Sequence, residues 1–375
     1  MIFILLNFHI FMGFNILLPT LSLYMEKQGL SGREIGLIYS IFTVSAITMR
    51  SSSAYLASGR ISPLFLISLG LFICALASFG YYWAVDVPRG LLFRFLHGAG
   101  FGITSTLITA LASQVIPQSR MGEGMSYLGL GTTISLAAGP FLGIWLMNEW
   151  GFLILFAAVA VCYLAGMGVS RFLPPISLAS SGSSRRPGLV VLSRMVRVPS
   201  LLMFILGLIL SSIIIFMALF CQEQKLPYVG HFFVVSSISI IISRLFSGRL
   251  YDRFGHRRII PPSVFLLLLV TLLLFYAQNG LMMLCAATLY GFCIGAAFPS
   301  MTALTLSYAP MERRAEATAS FFNCYDLGFG VGSVLMGQIA DLAGSYRVIF
   351  LTSAGMAILF LLLYAFFYLR HSDGS

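Results

Sequence analysis

Apolar residues come in long runs from Met1 to Leu369, each closed by a short break rich in Gly, Pro or charge. A helix that crosses a bilayer needs about 20 mostly apolar residues, and the runs have that length. Strands of a membrane barrel would alternate over roughly 10-residue segments, and no such alternation recurs. The pattern predicts helical spans near residues 2–25, 33–57, 61–84, 90–115, 122–147, 151–173, 199–221, 230–250, 258–278, 280–308, 314–339 and 346–369. The one break long enough to be a linker runs from Pro174 to Val198. It holds Pro174-Pro175, the run Ser180-Ser181-Gly182-Ser183-Ser184, and Arg185, Arg186, Arg194 and Arg197. Such Ser/Gly content makes a flexible tether. The expected fold is an all-α membrane protein of twelve transmembrane helices. Residues 1–173 form one six-helix bundle, 174–198 a cytoplasmic linker, and 199–375 a second bundle.

Composition agrees with a lipid solvent. Hydrophobic residues are 59% of the 375 and charged ones 9%, where a water-soluble chain carries about a quarter charged residues. The formal charge of +10 is too scattered for a nucleic-acid partner, and its placement follows orientation instead. The linker's side of the spans collects Arg60, Arg120, Arg171, Arg185, Arg186, Arg194, Arg197, Arg249, Arg253, Arg257, Arg258, Arg313, Arg314 and Arg370. The other side has Lys27, Arg33, Arg89, Lys225 and Arg347. By the positive-inside rule, the linker and both termini are expected in the cytoplasm. The six cysteines sit singly, with no CxxC pair, so neither a disulfide framework nor a metal site is expected. No basic n-region or cleavage site marks a signal peptide, and a short tail clipped by a late start is compatible with the opening at Met1. Short loops and the lack of an N-x-[ST] sequon suggest a bacterial plasma (inner) membrane.

The chain also repeats itself. A shift of 193 residues pairs Gly98 with Gly291, Gly102 with Gly295, Pro117 with Pro310, Arg120 with Arg313, Glu123 with Glu316, Gly139 with Gly332 and Gly151 with Gly344. Two six-span halves of like orientation make a parallel repeat about an axis along the membrane normal. Pseudo-symmetric halves that can rock suit transport better than a static role.

After the eighth span comes Arg244-Leu-Phe-Ser-Gly248-Arg249-Leu-Tyr-Asp252-Arg253-Phe-Gly255-His-Arg257-Arg258. This stretch resembles the signature of the major facilitator superfamily: Gly, three residues, Asp-Arg, then Gly and a basic pair. Gly248 is expected to let two helices approach closely, and Gly255 to permit a tight turn. Asp252 can face the positive end of a helix, the one starting near Met121. In the first half, aligned on Arg50, Ala54 replaces the glycine and Ser58 the aspartate. The resemblance therefore implies a cytoplasmic charge latch carried mainly by Asp252, with Arg253, Arg257 and Arg258 beside it.

In the fourth span, Arg94-Phe-Leu-His97-Gly98-Ala-Gly100-Phe-Gly102 resembles the superfamily's Arg-x-x-Gln-Gly-x-Gly motif, with His97 for glutamine. An arginine within a span needs a partner or water and points to function; the plainer reading is one that snorkels to the interface. His97, one turn on, either shares a water-filled cavity and titrates near neutral pH or makes a structural hydrogen bond. In the fifth span, Gly139-Pro140-Phe-Leu-Gly143 resembles the Gly-Pro-x-x-Gly signature of export members, especially drug–proton antiporters, with Ile144 at the final glycine. Pro140 is expected to bend the helix, and Gly139 and Gly143 to form a smooth packing patch.

The eleventh span sets Ser320, Asn323 and Asp326 on one helical stripe, three residues apart. Asp326 is the one carboxylate well inside a span, and Thr133 stands at its repeat position. Apolar surroundings favour the protonated form of an acid, which makes Asp326 the leading proton-coupling candidate, with Arg94 and His97 assisting. A fixed ion pair or a hinge hydrogen bond is the alternative. In the first span Asn7, Phe11 and Asn15 make another stripe, fit either for polar substrate groups or for helix–helix hydrogen bonds. With Ser320, Asn323 and Tyr325 they are the candidate substrate contacts.

The resemblance implies alternating access, with inward proton movement driving export of a small amphipathic organic molecule. The alternative is export or import of a specific metabolite such as a metallophore or sugar. HExxH, GxSxG and GxxxxGK[ST] motifs are absent, so neither an enzyme nor an ATP-driven pump is expected. The expected partners are membrane lipid, a small-molecule substrate and protons. No cofactor, metal or nucleic acid is expected, and the chain is expected to be a monomer.

Overall fold

The computed structural model describes residues 1–57, 61–117, 121–173, 193–310 and 313–369. Among them every regular element is helical: α1 (Ile2–Lys27), α2 (Gly32–Ala57), α3 (Pro63–Gly80), α4 (Val87–Val115), α5 (Met121–Ser170), α6 (Arg197–Glu223), α7 (Val229–Phe254), α8 (His256–Phe275), α9 (Gly280–Ser307), α10 (Arg314–Ala343) and α11 (Val348–Tyr364). A helix is the form in which an apolar segment satisfies its own backbone in lipid. Its ends need other partners. Asp86 caps α4 by accepting the Arg89 N–H at 2.9 Å, and Asn279 caps α9 by accepting the Met282 N–H at 3.0 Å.

Nine of these helices are long and apolar enough to cross a bilayer, among the described residues, where the sequence predicts twelve spans. One difference lies in α5, which takes up two predicted spans in a single run of 50 residues; only Gly151 inside it leaves helical geometry, at φ 76° and ψ 179°. The expected loop there is one residue. The other difference is α2 and α10, which have the length, 26 and 30 residues, but are not among the nine. They carry serines and ionisable residues such as Arg33, Glu34, Asp326 and Asp341, which a span tolerates only against protein or water. Of the predicted linker, residues 174–192 lie outside the described residues, as do Ser58, Arg60, Arg120 and Arg370.

The helices pack as two compact units, residues 1–30 with 38–189, and residues 31–37 with 190–375. In the first, α1 lies on α5, and α3 on α4 and α5. In the second, α6 lies on α10, α8 on α9 and α11, and α7 on α9. Repeat-related residues do the same local work in each. Asp86 and Asn279, the caps of α4 and α9, are 193 apart. Gly151 breaks α5 and Gly344 ends α10, both at positive φ, 76° and 66°, a region that costs glycine nothing. A Cβ on Gly98 would come within 2.5 Å of the Phe42 carbonyl oxygen of α2, and one on Gly291 would collide with Ser236 and Ser239 of α7. The sequence periodicity is thus a repeat of helix crossings.

The second unit also contains the first turns of α2. The Gly32 and Arg33 N–H groups donate to the two carboxylate oxygens of Asp341, at 2.7 and 2.8 Å. Ser333 Oγ donates to the Gly36 carbonyl at 2.8 Å.

Candidate functional site

In the first unit, α4 places Arg94 and His97 one turn apart on the same face, both buried. The Arg94 guanidinium lies 4.5 Å from the ring centroids of Tyr39 and Phe42 and 6.0 Å from that of Phe14. Its Nη1 donates to the Tyr81 hydroxyl at 3.5 Å, while its Nε has no hydrogen-bond partner. Among the described residues no carboxylate pairs with it. Aromatic faces offer a cation a share of what a counter-ion would give, so this is a caged charge and not a snorkelling one.

The Tyr81 hydroxyl continues to His97 Nδ1 at 3.0 Å, and His97 Nε2 to the Tyr163 hydroxyl at 2.8 Å. Tyr163 donates in turn to the Ile10 carbonyl at 3.4 Å. Neutral imidazole has one donor and one acceptor, which two tyrosyl hydroxyls match. The result is an unbroken line from guanidinium through hydroxyl and imidazole to hydroxyl. Such a line fixes the imidazole between the two hydroxyls.

The α1 stripe is divided. Asn7 Nδ2 donates to the Leu128 carbonyl and Thr132 Oγ1 of α5, at 2.9 and 2.8 Å. Asn15 Nδ2 donates to the Phe11 carbonyl one turn back. Phe11 alone of the three joins the aromatic group, 5.3 Å from Phe101, which in turn meets Phe14 and Phe42. Against α1 lie Gly139 and Gly143 of α5. A Cβ on either would press within 2.7 Å of Asn15 or 2.6 Å of the Ile16 carbonyl. α5 continues through Pro140 with helical backbone, and its only non-helical residue is Gly151. The break between the fifth and sixth predicted spans falls at Gly151, whose positive φ of 76° a glycine adopts without strain.

In the second unit, α10 carries Asp326, half-buried. Phe321, Phe322 and Tyr325 gather around Phe298 of α9, with ring centroids 5.9, 6.1 and 5.4 Å from it. Ser320 is buried and accepts the Ser193 N–H at 2.7 Å, so its hydroxyl fixes the approach to α6. Asn323 is half-buried on the same helix.

At the α7–α8 junction Gly255 stands at φ 70° and serves as both the end of one helix and the start of the next. Arg253 and Arg258 hold their guanidiniums 5.2 and 5.8 Å from the Phe254 ring, and His256 Nδ1 lies 2.7 Å from the Tyr364 hydroxyl of α11. Asp252 and Arg257 are exposed. The role expected of Gly248 needs correction: it is exposed, and nothing lies within 4 Å of where its Cβ would stand. Among the described residues, the tight crossing of α7 onto α9 is made at Ser236, Ser239 and Ser243 instead.

Sequence reasoning missed Tyr39, Tyr81 and Tyr163, which build the site around Arg94, and Asp341, which holds α2. The tyrosines read as ordinary membrane aromatics. Their one available signal was a polar tip deep in a span.

A model of the Major Facilitator Superfamily matches residues 3–326 and 225–375. The chain is 25% identical over 387 residues to the multidrug resistance protein MdtG of Klebsiella pneumoniae, covering 96% of this chain and 90% of that one. It is 21% identical over 368 residues to the staphylopine export protein of Staphylococcus aureus, covering 94% and 90%. Its fold is similar to that of the nucleoside transporter NupG, with a TM-score of 0.81, 17% identity and 98% of each chain covered.

Proposed function

The chain belongs to the Major Facilitator Superfamily and is a membrane transporter, not an enzyme; we propose that it exports a small amphipathic organic compound in exchange for protons, by alternating access. Asp326 carries this reading. It is a half-buried acid within α10, next to Tyr325 in the chain, and the repeat position in the first half is Thr133. An acid that the architecture needs only once is there for chemistry. Asp326 takes a proton in the outward-open state and gives it up inward, and the caged charge of Arg94, with His97, adjusts that release. Both amide hydrogens of Asn7 and one of Asn15 already have protein partners, so the aromatic faces of Phe11 and Tyr325 are the better substrate contacts for an amphipathic molecule.

Relatives named for multidrug resistance support an exporter. The remaining parts of the proposal are twelve crossings, with bundles at 1–173 and 199–375 joined by a cytoplasmic linker, both termini in the cytoplasm of a bacterial inner membrane, and a monomer. A second reading is a specific metabolite as cargo, favoured by a relative named for staphylopine export. Accumulation of an amphipathic dye panel in cells with and without the protein tests the proposal. Lower accumulation with the protein, restored by Asp326→Asn at equal expression, is expected. Equal accumulation in all three would overturn it.

A further inference from the structure

A 3₁₀ turn, Arg194–Val196, leads into α6. It is firmly anchored: the Ser193 N–H donates to Ser320 Oγ at 2.7 Å, and Val196 is buried with Ala309 and Ala317. At three residues per turn, positions i and i+3 eclipse, which brings Arg194 and Arg197 to one side of the turn. Both line a cavity of about 280 Å³, together with Pro199, Tyr308, Phe367 and Tyr368. Phe367 and Tyr368 come from a π-helical turn, Ala365–Leu369, that follows α11. Such turns are rare and often mark functional sites.

The two arginines are exposed, and neither makes an ion pair among the described residues. Like charges held side by side repel, and an anion placed between them relieves the repulsion. The other walls are an apolar ring and two rings with polar tips, the chemistry of a membrane–water boundary. The cavity also lies at helix ends: the first turn of α6, the residue after α9, and the turn after α11.

We propose that this cavity binds the phosphate headgroup of an anionic phospholipid of the phosphatidylglycerol or cardiolipin class. Arg194 and Arg197 hold the phosphate, and Tyr308, Phe367 and Tyr368 take the glycerol and first methylenes. Basic pockets between transmembrane helices at the cytoplasmic face suit such headgroups. The inference rests on the membrane orientation proposed above and is independent of proton coupling.

The test uses the full chain, purified and delipidated in detergent, then titrated with phosphatidylglycerol and with phosphatidylcholine, with bound lipid counted by native mass spectrometry. The wild type should retain phosphatidylglycerol in preference. Arg194→Ala with Arg197→Ala should weaken that binding roughly thirtyfold, and either change alone roughly fivefold. The paired lysine substitutions should keep most of it, and Arg171→Ala, an exposed arginine of the other unit, should change nothing. Undiminished binding in the double alanine variant would overturn the proposal, as would an equal loss in Arg171→Ala or equal retention of the neutral lipid. Displacement by sn-glycerol 3-phosphate at similar concentration would overturn the lipid assignment in favour of a soluble phosphate. Dye transport by the same preparations reads the exporter proposal separately.

Discussion

At the scale of single residues, the first unit is organised around a cation that has no carboxylate beside it among the described residues. A buried arginine needs partners for its charge, and Arg94 finds them in two rings at 4.5 Å and the Tyr81 hydroxyl. The arginine was legible in the sequence because a charge in an apolar run is conspicuous. Its cage was not, since Tyr39 and Tyr81 come from other parts of the chain and nothing local marks them. His97 was legible as a polar residue, and only the fold shows both its nitrogens engaged by tyrosines. Tyr163→Phe keeps the ring and removes the hydroxyl at His97 Nε2. It should lower stability by about 1 kcal/mol, the scale of a hydrogen bond between membrane helices, read as a lower unfolding temperature in detergent. An unchanged temperature would mean that the bond contributes nothing.

At the scale of elements, periodicity and length placed most helices to within a few residues: α1 and α9 end close to the predicted 25 and 308. The misjudged features are backbone ones. The break between the fifth and sixth spans is one glycine at φ 76°, which length rules expect to be a loop. Glycine roles divide likewise. Gly98 sits where a side chain would strike the Phe42 backbone, while Gly248, the motif glycine, faces open space. Gly98→Val should therefore destabilise by about 2 kcal/mol through overpacking. Gly248→Ala should be neutral or stabilise by up to about 1 kcal/mol through helix propensity. Thermal unfolding of the two variants side by side checks the pair, and a destabilised Gly248→Ala would restore a packing role for that residue. Asp341 holds two N–H groups at the start of α2. Asp341→Ala should cost about 1–2 kcal/mol, as loss of a helix cap does, and Asp341→Asn less; equal stability of all three would contradict that contact.

At the scale of the whole molecule, the 193-residue repeat was the most informative sequence feature, because Gly98 and Gly291 make matching helix crossings and the matched caps and positive-φ glycines set matching helix ends. What the repeat leaves unmatched is where function is expected: Asp326 against Thr133, and, at a shift of 194 residues, Asp252 against Ser58. If Asp252 weights the outward-facing state, Asp252→Ala should shift the populations seen by spin-label distances across the cytoplasmic side, and unchanged populations would remove that role. Proton-driven export is read out in proteoliposomes. With a pH gradient as the only driving force, the wild type should move dye against its concentration gradient, while Asp326→Asn, equally folded, should show only downhill or exchange flux. Dye movement indifferent to the gradient, or an Asp326→Asn protein as fully driven as the wild type, would contradict the account.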